Sequence, residues 1–160
     1  MLLEEMIEQG LYQFIDYEVT DWQEAIRLST IPLIKNGIVD EHFAQALIDA
    51  VLEYGPYIVL LPNFAMPHTS ETTPGVNGSA ISFMRLKSPV SFEPGNPEKD
   101  AQVFFTLASG DKDDHLKNMA GLFELLSQKS VLDKVMSATD LGDLQKIVDT
   151  LKTTPKEEKL

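Results

Sequence analysis

An α/β fold, a single-domain sandwich with a mixed β-sheet flanked by helices, is predicted by three observations. Apolar runs with strand character alternate with segments whose apolar residues recur at helical spacing. The strand candidates between positions 57 and 107 follow one another closely, which makes part of the sheet antiparallel. Finally, 160 residues at 43% hydrophobic content make one ordinary domain that can bury a real core.

Taken in order, Met1 to Gln9 reads as a short amphipathic turn or helix closed by Gly10, and Tyr12 to Val19 has the aromatic and β-branched content of a strand. Asp21 with Glu24, or Thr20 with Gln23, offers a capping box for a helix on which Trp22, Ala25, Ile26 and Ser29 share a face. Pro32 is expected to kink or divide that helix, and Gly37 to stop it. Asp40 caps a second helix carrying Phe43, Leu47, Ala50, Val51 and Tyr54, which Gly55-Pro56 ends. Tyr57 to Leu61, lacking polar alternation, predicts a strand covered on both faces that leads into a proline-punctuated loop with His68. Gly78 to Leu86 predicts a further strand, with Ala80, Ser82 and Met84 on one side and Ile81, Phe83 and Arg85 on the other. Lys87-Ser88-Pro89 reads as a break before a short Val90 to Phe92 piece, and Glu93 to Asp100 as a turn. Gln102 to Leu107 is another buried strand, followed by a helix capped by Asp113 or Asp114 with His115 near its start. Ser130 to Met136 and Asp140 to Leu151 complete the helices. The domain is expected to occupy 1–152, with 153–160 a charged, flexible C-terminal tail.

Composition narrows the chemistry. Thirteen basic against 25 acidic side chains, net −12, argue against a nucleic-acid or anionic-membrane surface, since phosphate backbones call for clustered Lys and Arg. With no cysteine there is no disulfide framework, thiolate nucleophile or Cys-ligated metal, so reactivity must rest on His, carboxylate or hydroxyl groups. The N-terminus has neither a basic leader nor a long apolar core, and no apolar run reaches the roughly 18 residues of a spanning helix. A cytoplasmic protein with no direct membrane insertion is the expectation.

Two imidazoles stand out by context. His68 follows an apolar strand on a loop stiffened by Pro62 and Pro67, with the hydroxyls of Thr69 and Ser70 next to it. His115 opens a helix, where unpaired N–H groups and a partial positive charge favour an anion. Each lies just past a strand, so the two rings meet at one sheet edge if those strands are neighbours. Two such rings without metal-ligand spacing suit a phosphohistidine site, one ring attacking phosphorus and the other donating to the phosphoryl oxygens. A metal site built from His68, His115 and Asp114 is disfavoured by the absence of close His spacing on one helix. Because exposed charges beyond about 8 Å are largely screened at physiological salt, local donors must outweigh the net charge. Apolar residues such as Phe64 and Met66 are expected at the docking surface, against the plainer reading that they pack the core.

The segments G-P-Y-I-V-L-L-P-N-F-A-M-P-H, P-G-V-N-G-S-A-I-S-F-M-R-L-K-S-P-V-S-F and D-H-L-K-N-M-A-G-L-F-E-L-L carry a family resemblance over essentially the whole chain. The sequence resembles enzyme IIA of the fructose/mannitol (type 2) class of the bacterial phosphoenolpyruvate-dependent phosphotransferase system (PTS), and most resembles the L-ascorbate type within it. The resemblance implies an α/β sandwich with a mixed sheet, no metal or organic cofactor, and a phosphotransferase activity serving uptake of L-ascorbate or a related sugar acid or pentitol. It implies that His68 takes phosphoryl from the carrier HPr and passes it to a cysteine of IIB, with His115 stabilising the phosphoryl group and the membrane component IIC only an indirect partner. A regulatory IIA-like domain, signalling through its phosphorylation state to protein partners, is the alternative. Mannitol-type members carry an arginine on the helix before the P-H strand. Here Leu52-Glu53-Tyr54 fills that region, which leaves Tyr54, Thr69 and Ser70 as candidate phosphate contacts.

Overall fold

A computed structural model describes residues 2–69 and 73–153. Five strands form one mixed sheet: β1 (Tyr12–Phe14), β2 (Val59–Leu61), β3 (Asn63–Ala65), β4 (Ala80–Ser91) and β5 (Asp100–Ala108). Their order is β1-β4-β5-β3-β2. The β1/β4 and β3/β5 pairs are parallel, and β4/β5 and β2/β3 antiparallel. The helices are α1 (Leu2–Glu8), α2 (Trp22–Lys35), α3 (Glu41–Tyr54), α4 (Lys112–Leu126), α5 (Lys129–Ser137) and α6 (Leu141–Thr153), with a 3₁₀ turn at Pro97–Lys99. Among the described residues no helix is long and apolar enough to cross a membrane. The expected 153–160 tail lies outside the described residues but for Thr153.

The period-2 alternation of β4 makes the sandwich. Ser82 Oγ donates to Ser29 O of α2 on one face, whereas Arg85 Nη1 donates to Met136 O of α5 on the other. Across the Arg85 face runs an aromatic row, Phe14, Phe83, Phe105 and Phe64, with successive ring centroids 5.5, 5.4 and 5.9 Å apart. It crosses β1, β4, β5 and β3 in spatial order, so the sheet is clamped by ring contacts worth about 0.5–1.5 kcal/mol each beyond area burial. Phe104, on the opposite face, packs through Phe92 to Trp22 at the start of α2.

Several local expectations are corrected. Strand structure near the N-terminus stops at Phe14, because the parallel register with β4 covers only Tyr12 to Phe14 and closes with the Ile15 N to Arg85 O hydrogen bond. Pro32 does not break α2: the helix is continuous to Lys35, and Leu28 O, the acceptor a residue-32 N–H would have used, takes a hydrogen bond from the Gln13 side-chain amide. Asp21 is the cap of α2, accepting from Gln23 N. The run Tyr57 to Leu61 is not a strand covered on both faces. Only Val59–Leu61 is strand, it forms the sheet edge, and Leu60 and Leu61 are 40% and 47% exposed. A tight reversal with Asn63 at φ 70° then folds the chain back into β3, as a short polar side chain tolerates.

Lys87-Ser88-Pro89 does not interrupt β4 but bulges within it. Pairing to β5 shifts between Arg85 and Val90, and Gln102 Nε2 reaches Leu86 O and Lys87 O at 3.1 Å each. A bulge is where a strand tolerates a proline that has no N–H to give. The cap of α4 is Asp111, accepting from Asp114 N at 2.8 Å, in place of Asp113 or Asp114.

Candidate functional site

Because β3 and β5 are parallel neighbours, both chains leave the sheet at the same edge, the carboxyl end of the strands where α/β sheets bind ligands. After Ala65 the backbone stays beside β5 for one more contact, Leu107 N to Pro67 O at 2.9 Å, which delivers His68 at the edge. After Ala108 the turn Ser109-Gly110 leads into α4 and places His115 on its first turn. The condition set by the sequence is met: the two rings stack with centroids 6.1 Å apart and planes 29° apart.

Each ring is fixed through its Nδ1. His68 Nδ1 lies 2.6 Å from Met66 O. A carbonyl only accepts, so Nδ1 carries the proton and the lone pair resides on Nε2, the nitrogen left to act as nucleophile. Tyr57 holds the same residue twice, donating its hydroxyl to His68 O at 2.5 Å and setting its ring edge-on to the imidazole at 5.3 Å. His115 is only 7% exposed and its Nδ1 is 2.9 Å from Ser109 Oγ. The start of α4 is tied back to the sheet by Ser79, whose Oγ accepts from Gly110 N at 2.7 Å and donates to Asp114 Oδ2 at 2.8 Å. Among the described residues no group of three or more His, Cys, Asp or Glu is gathered as a metal site requires.

Burial lowers the His68 pKa below its ordinary 6.5; the Met66 carbonyl opposes that shift and the nearby His115 adds to it. Burial likewise raises the Tyr57 phenol, with Tyr54 adding to the shift. The imidazole of His68 is therefore neutral at pH 7. Reaction of His68 with an electrophilic phosphoryl donor should follow the neutral ring, level at alkaline pH and falling with a midpoint below 6.5 as the ring protonates, a profile measured by initial labelling rates. A midpoint at or above 6.5 would contradict it. The depressed value has the matching sign for stability: the ring's contribution is fully present above pH 6.5 and is lost as pH falls through the folded pKa.

The other candidates divide. Thr69 and Tyr54 line a cleft of about 490 Å³ between α3 and the His68 loop, shared with Asp49, Glu53, Tyr57 and Thr73. Tyr54 is 71% exposed and meets Tyr57, not His68, with ring centroids 6.5 Å apart. Ser70 lies outside the described residues. Phe64 and Met66 are core, fully buried beneath the site, so they form no docking surface. The exposed large apolar side chains of the two helices that border the site are Leu52 and Tyr54 on α3 and Leu116 and Phe123 on α4. The chain's arginines lie elsewhere: Arg27 on α2, and Arg85 engaged with Met136 O. Tyr57 and Ser109 were not singled out by the sequence. Tyr57 reads there as the first residue of a strand, and Ser109 as part of a small-residue turn.

Residues 6–150 match the family model described as "Phosphoenolpyruvate-dependent sugar phosphotransferase system, EIIA 2". The chain belongs to this family. Membership in EIIA 2 makes it a component of a sugar phosphotransferase system, with a mixed-sheet α/β fold. The mannitol-specific cryptic phosphotransferase enzyme IIA component of Escherichia coli is 32% identical over 132 residues, covering 82% of this chain and 88% of that protein. The ascorbate-specific PTS system EIIA component of Escherichia coli is 31% identical over 111 residues, covering 67% and 71%. The solution structure of the cryptic mannitol-specific enzyme IIA of Escherichia coli superposes with a TM-score of 0.78 at 31% identity, covering 92% of this chain and 98% of that one. EIIA 2 relatives named for mannitol and for ascorbate are thus about equally similar, and identity alone does not favour the ascorbate type.

Proposed function

We propose that this protein is a phosphocarrier: His68 accepts a phosphoryl group from histidine-phosphorylated HPr and passes it to a cysteine of a IIB component. The observation that carries the reading is the pair of histidine rings at the edge formed by β3 and β5, with His68 Nδ1 committed to Met66 O. In the first step Nε2 attacks phosphorus as the N–P bond of phospho-HPr breaks, returning the HPr imidazole. In the second a IIB thiolate attacks the same phosphorus, an S–P bond forms and His68 regains its lone pair. His115 supplies an N–H to the oxygens as charge redistributes between them, and the positive end of the α4 dipole adds to the field. With no arginine lining the cleft, Thr69 and Tyr54, which line it together with His68, are the candidate phosphoryl contacts, and Ser70 follows Thr69 in sequence.

The transported sugar, a sugar acid such as L-ascorbate or a sugar alcohol, is recognised by the membrane component IIC, while this subunit works on the cytoplasmic side. No observation favours the regulatory alternative, and one experiment separates the two. The protein is charged with phosphoenolpyruvate, enzyme I and HPr, repurified, and mixed with IIB proteins of the ascorbate and mannitol types. Loss of label from His68 with its appearance on one IIB is expected. A stable phosphoprotein that delivers to neither type would favour a signalling role.

A further inference from the structure

The two histidines of the site differ in what holds Nδ1, and the difference assigns a role to a residue outside the pair. A backbone carbonyl holds His68, and a carbonyl cannot donate. A side-chain hydroxyl holds His115: Ser109 Oγ, 2.9 Å from Nδ1, and a hydroxyl can give or take a proton. We infer that Ser109 is a positioning residue for phosphoryl transfer, its hydroxyl donating to His115 Nδ1 so that the ring is kept with its proton on Nε2. The inference deepens the phosphocarrier reading and rests on it.

The argument is one of complementarity. A pair of imidazoles that carry one proton each and face one phosphoryl group must present one lone pair and one N–H, since two lone pairs repel the oxygens and two N–H groups leave no nucleophile. His68 is fixed as the lone pair by Met66 O. His115 must then be the N–H, which requires a donor at its Nδ1, and Ser109 is the group there. The hydroxyl is also held still. Ser109 is 5% exposed, and the next residue, Gly110, is anchored through its N–H to Ser79 Oγ at 2.7 Å. A Cβ on Gly110 would lie 3.3 Å from that Oγ and 3.5 Å from the Gly78 backbone, so the turn packs closely. Through Asp114 Oδ2, 2.8 Å from the same Ser79 hydroxyl, the first turn of α4 is referenced to the point that fixes Ser109. Ring and partner therefore move together.

The test reads the tautomer itself. Two-bond ¹H–¹⁵N spectra of the full chain at about pH 8, where an ordinary imidazole is neutral, should show His115 with Nδ1 unprotonated and Nε2 protonated, and His68 with the reverse. In Ser109→Ala the His115 pattern should move toward the other tautomer, and phosphoryl transfer from phospho-HPr should slow roughly 2- to 10-fold, the size of one lost hydrogen bond. A wild-type His115 protonated on Nδ1 would overturn the inference without any variant. So would a Ser109→Ala protein with unchanged transfer, or one that slows while the His115 tautomer stays as in wild type. Labelling at His68 in the same wild-type sample reports on the phosphocarrier reading separately.

Discussion

His68→Ala is expected to abolish phosphorylation by phosphoenolpyruvate, enzyme I and HPr while leaving the fold intact. The loss is total because no other group in the site combines a free lone pair with access: His115 is buried and its Nδ1 is occupied by Ser109. Retention of the fold follows from how the residue is held. The Tyr57 hydroxyl bonds the backbone carbonyl of position 68, which alanine keeps, and the Leu107 N to Pro67 O contact is untouched. What disappears is a half-buried ring with its edge contact to Tyr57 and its stack on His115, a change within about 1 kcal/mol of neutral, as is typical away from the core. Label incorporation and a thermal melt, taken on the same preparation, check both halves. Phosphate retained on His115 in the variant would move the acceptor role to that residue and sink the assignment.

The residues explain why some of this was readable in advance and some was not. Strands β4 and β5 show in the sequence because their apolar content is long and is bounded by Gly, Pro and Asp. The two-histidine site followed from a topological condition, neighbouring strands, that pattern alone could state but not decide. The β2–β3 hairpin was missed since Tyr57 to Ala65 is nearly all apolar, and periodicity cannot tell one buried strand from an edge strand that reverses at Pro62-Asn63. Pro32 and Pro89 misled for a related reason. Each proline's local cost is met by a distant glutamine amide, Gln13 for the freed Leu28 carbonyl and Gln102 at the bulge beside Pro89, and such partners belong to tertiary structure. Ser109 and Tyr57 are not legible in the sequence because their importance lies in contacts with a single histidine each, Ser109 through one hydrogen bond and Tyr57 through a hydrogen bond and a ring edge, which only the folded chain makes.

His115→Ala should still be phosphorylated on His68, but with transfer slowed roughly 10- to 1000-fold. The lower figure is the loss of one hydrogen bond to a charged group, about 1.5 kcal/mol. The upper is the removal of a preorganised donor aimed at charge that develops in the transition state. Two features of this chain argue for the upper part of the range. No arginine lines the cleft, and the local carboxylates Asp49 and Glu53 oppose an incoming dianion, so fewer cations share the task. His115 is also held on both sides, by Ser109 at Nδ1 and by the first turn of α4 through its backbone N–H to Asp111 O at 3.1 Å, so little reorganisation is left for the moment of reaction. The comparison that isolates the effect is single-turnover transfer from phospho-HPr and onward to IIB, with thermal melts to show that the vacated space beside His68 has not unfolded the loop. Transfer rates equal to wild type in both directions would make His115 a bystander and leave the first turn of α4, with its N–H groups alone, to hold the phosphoryl group.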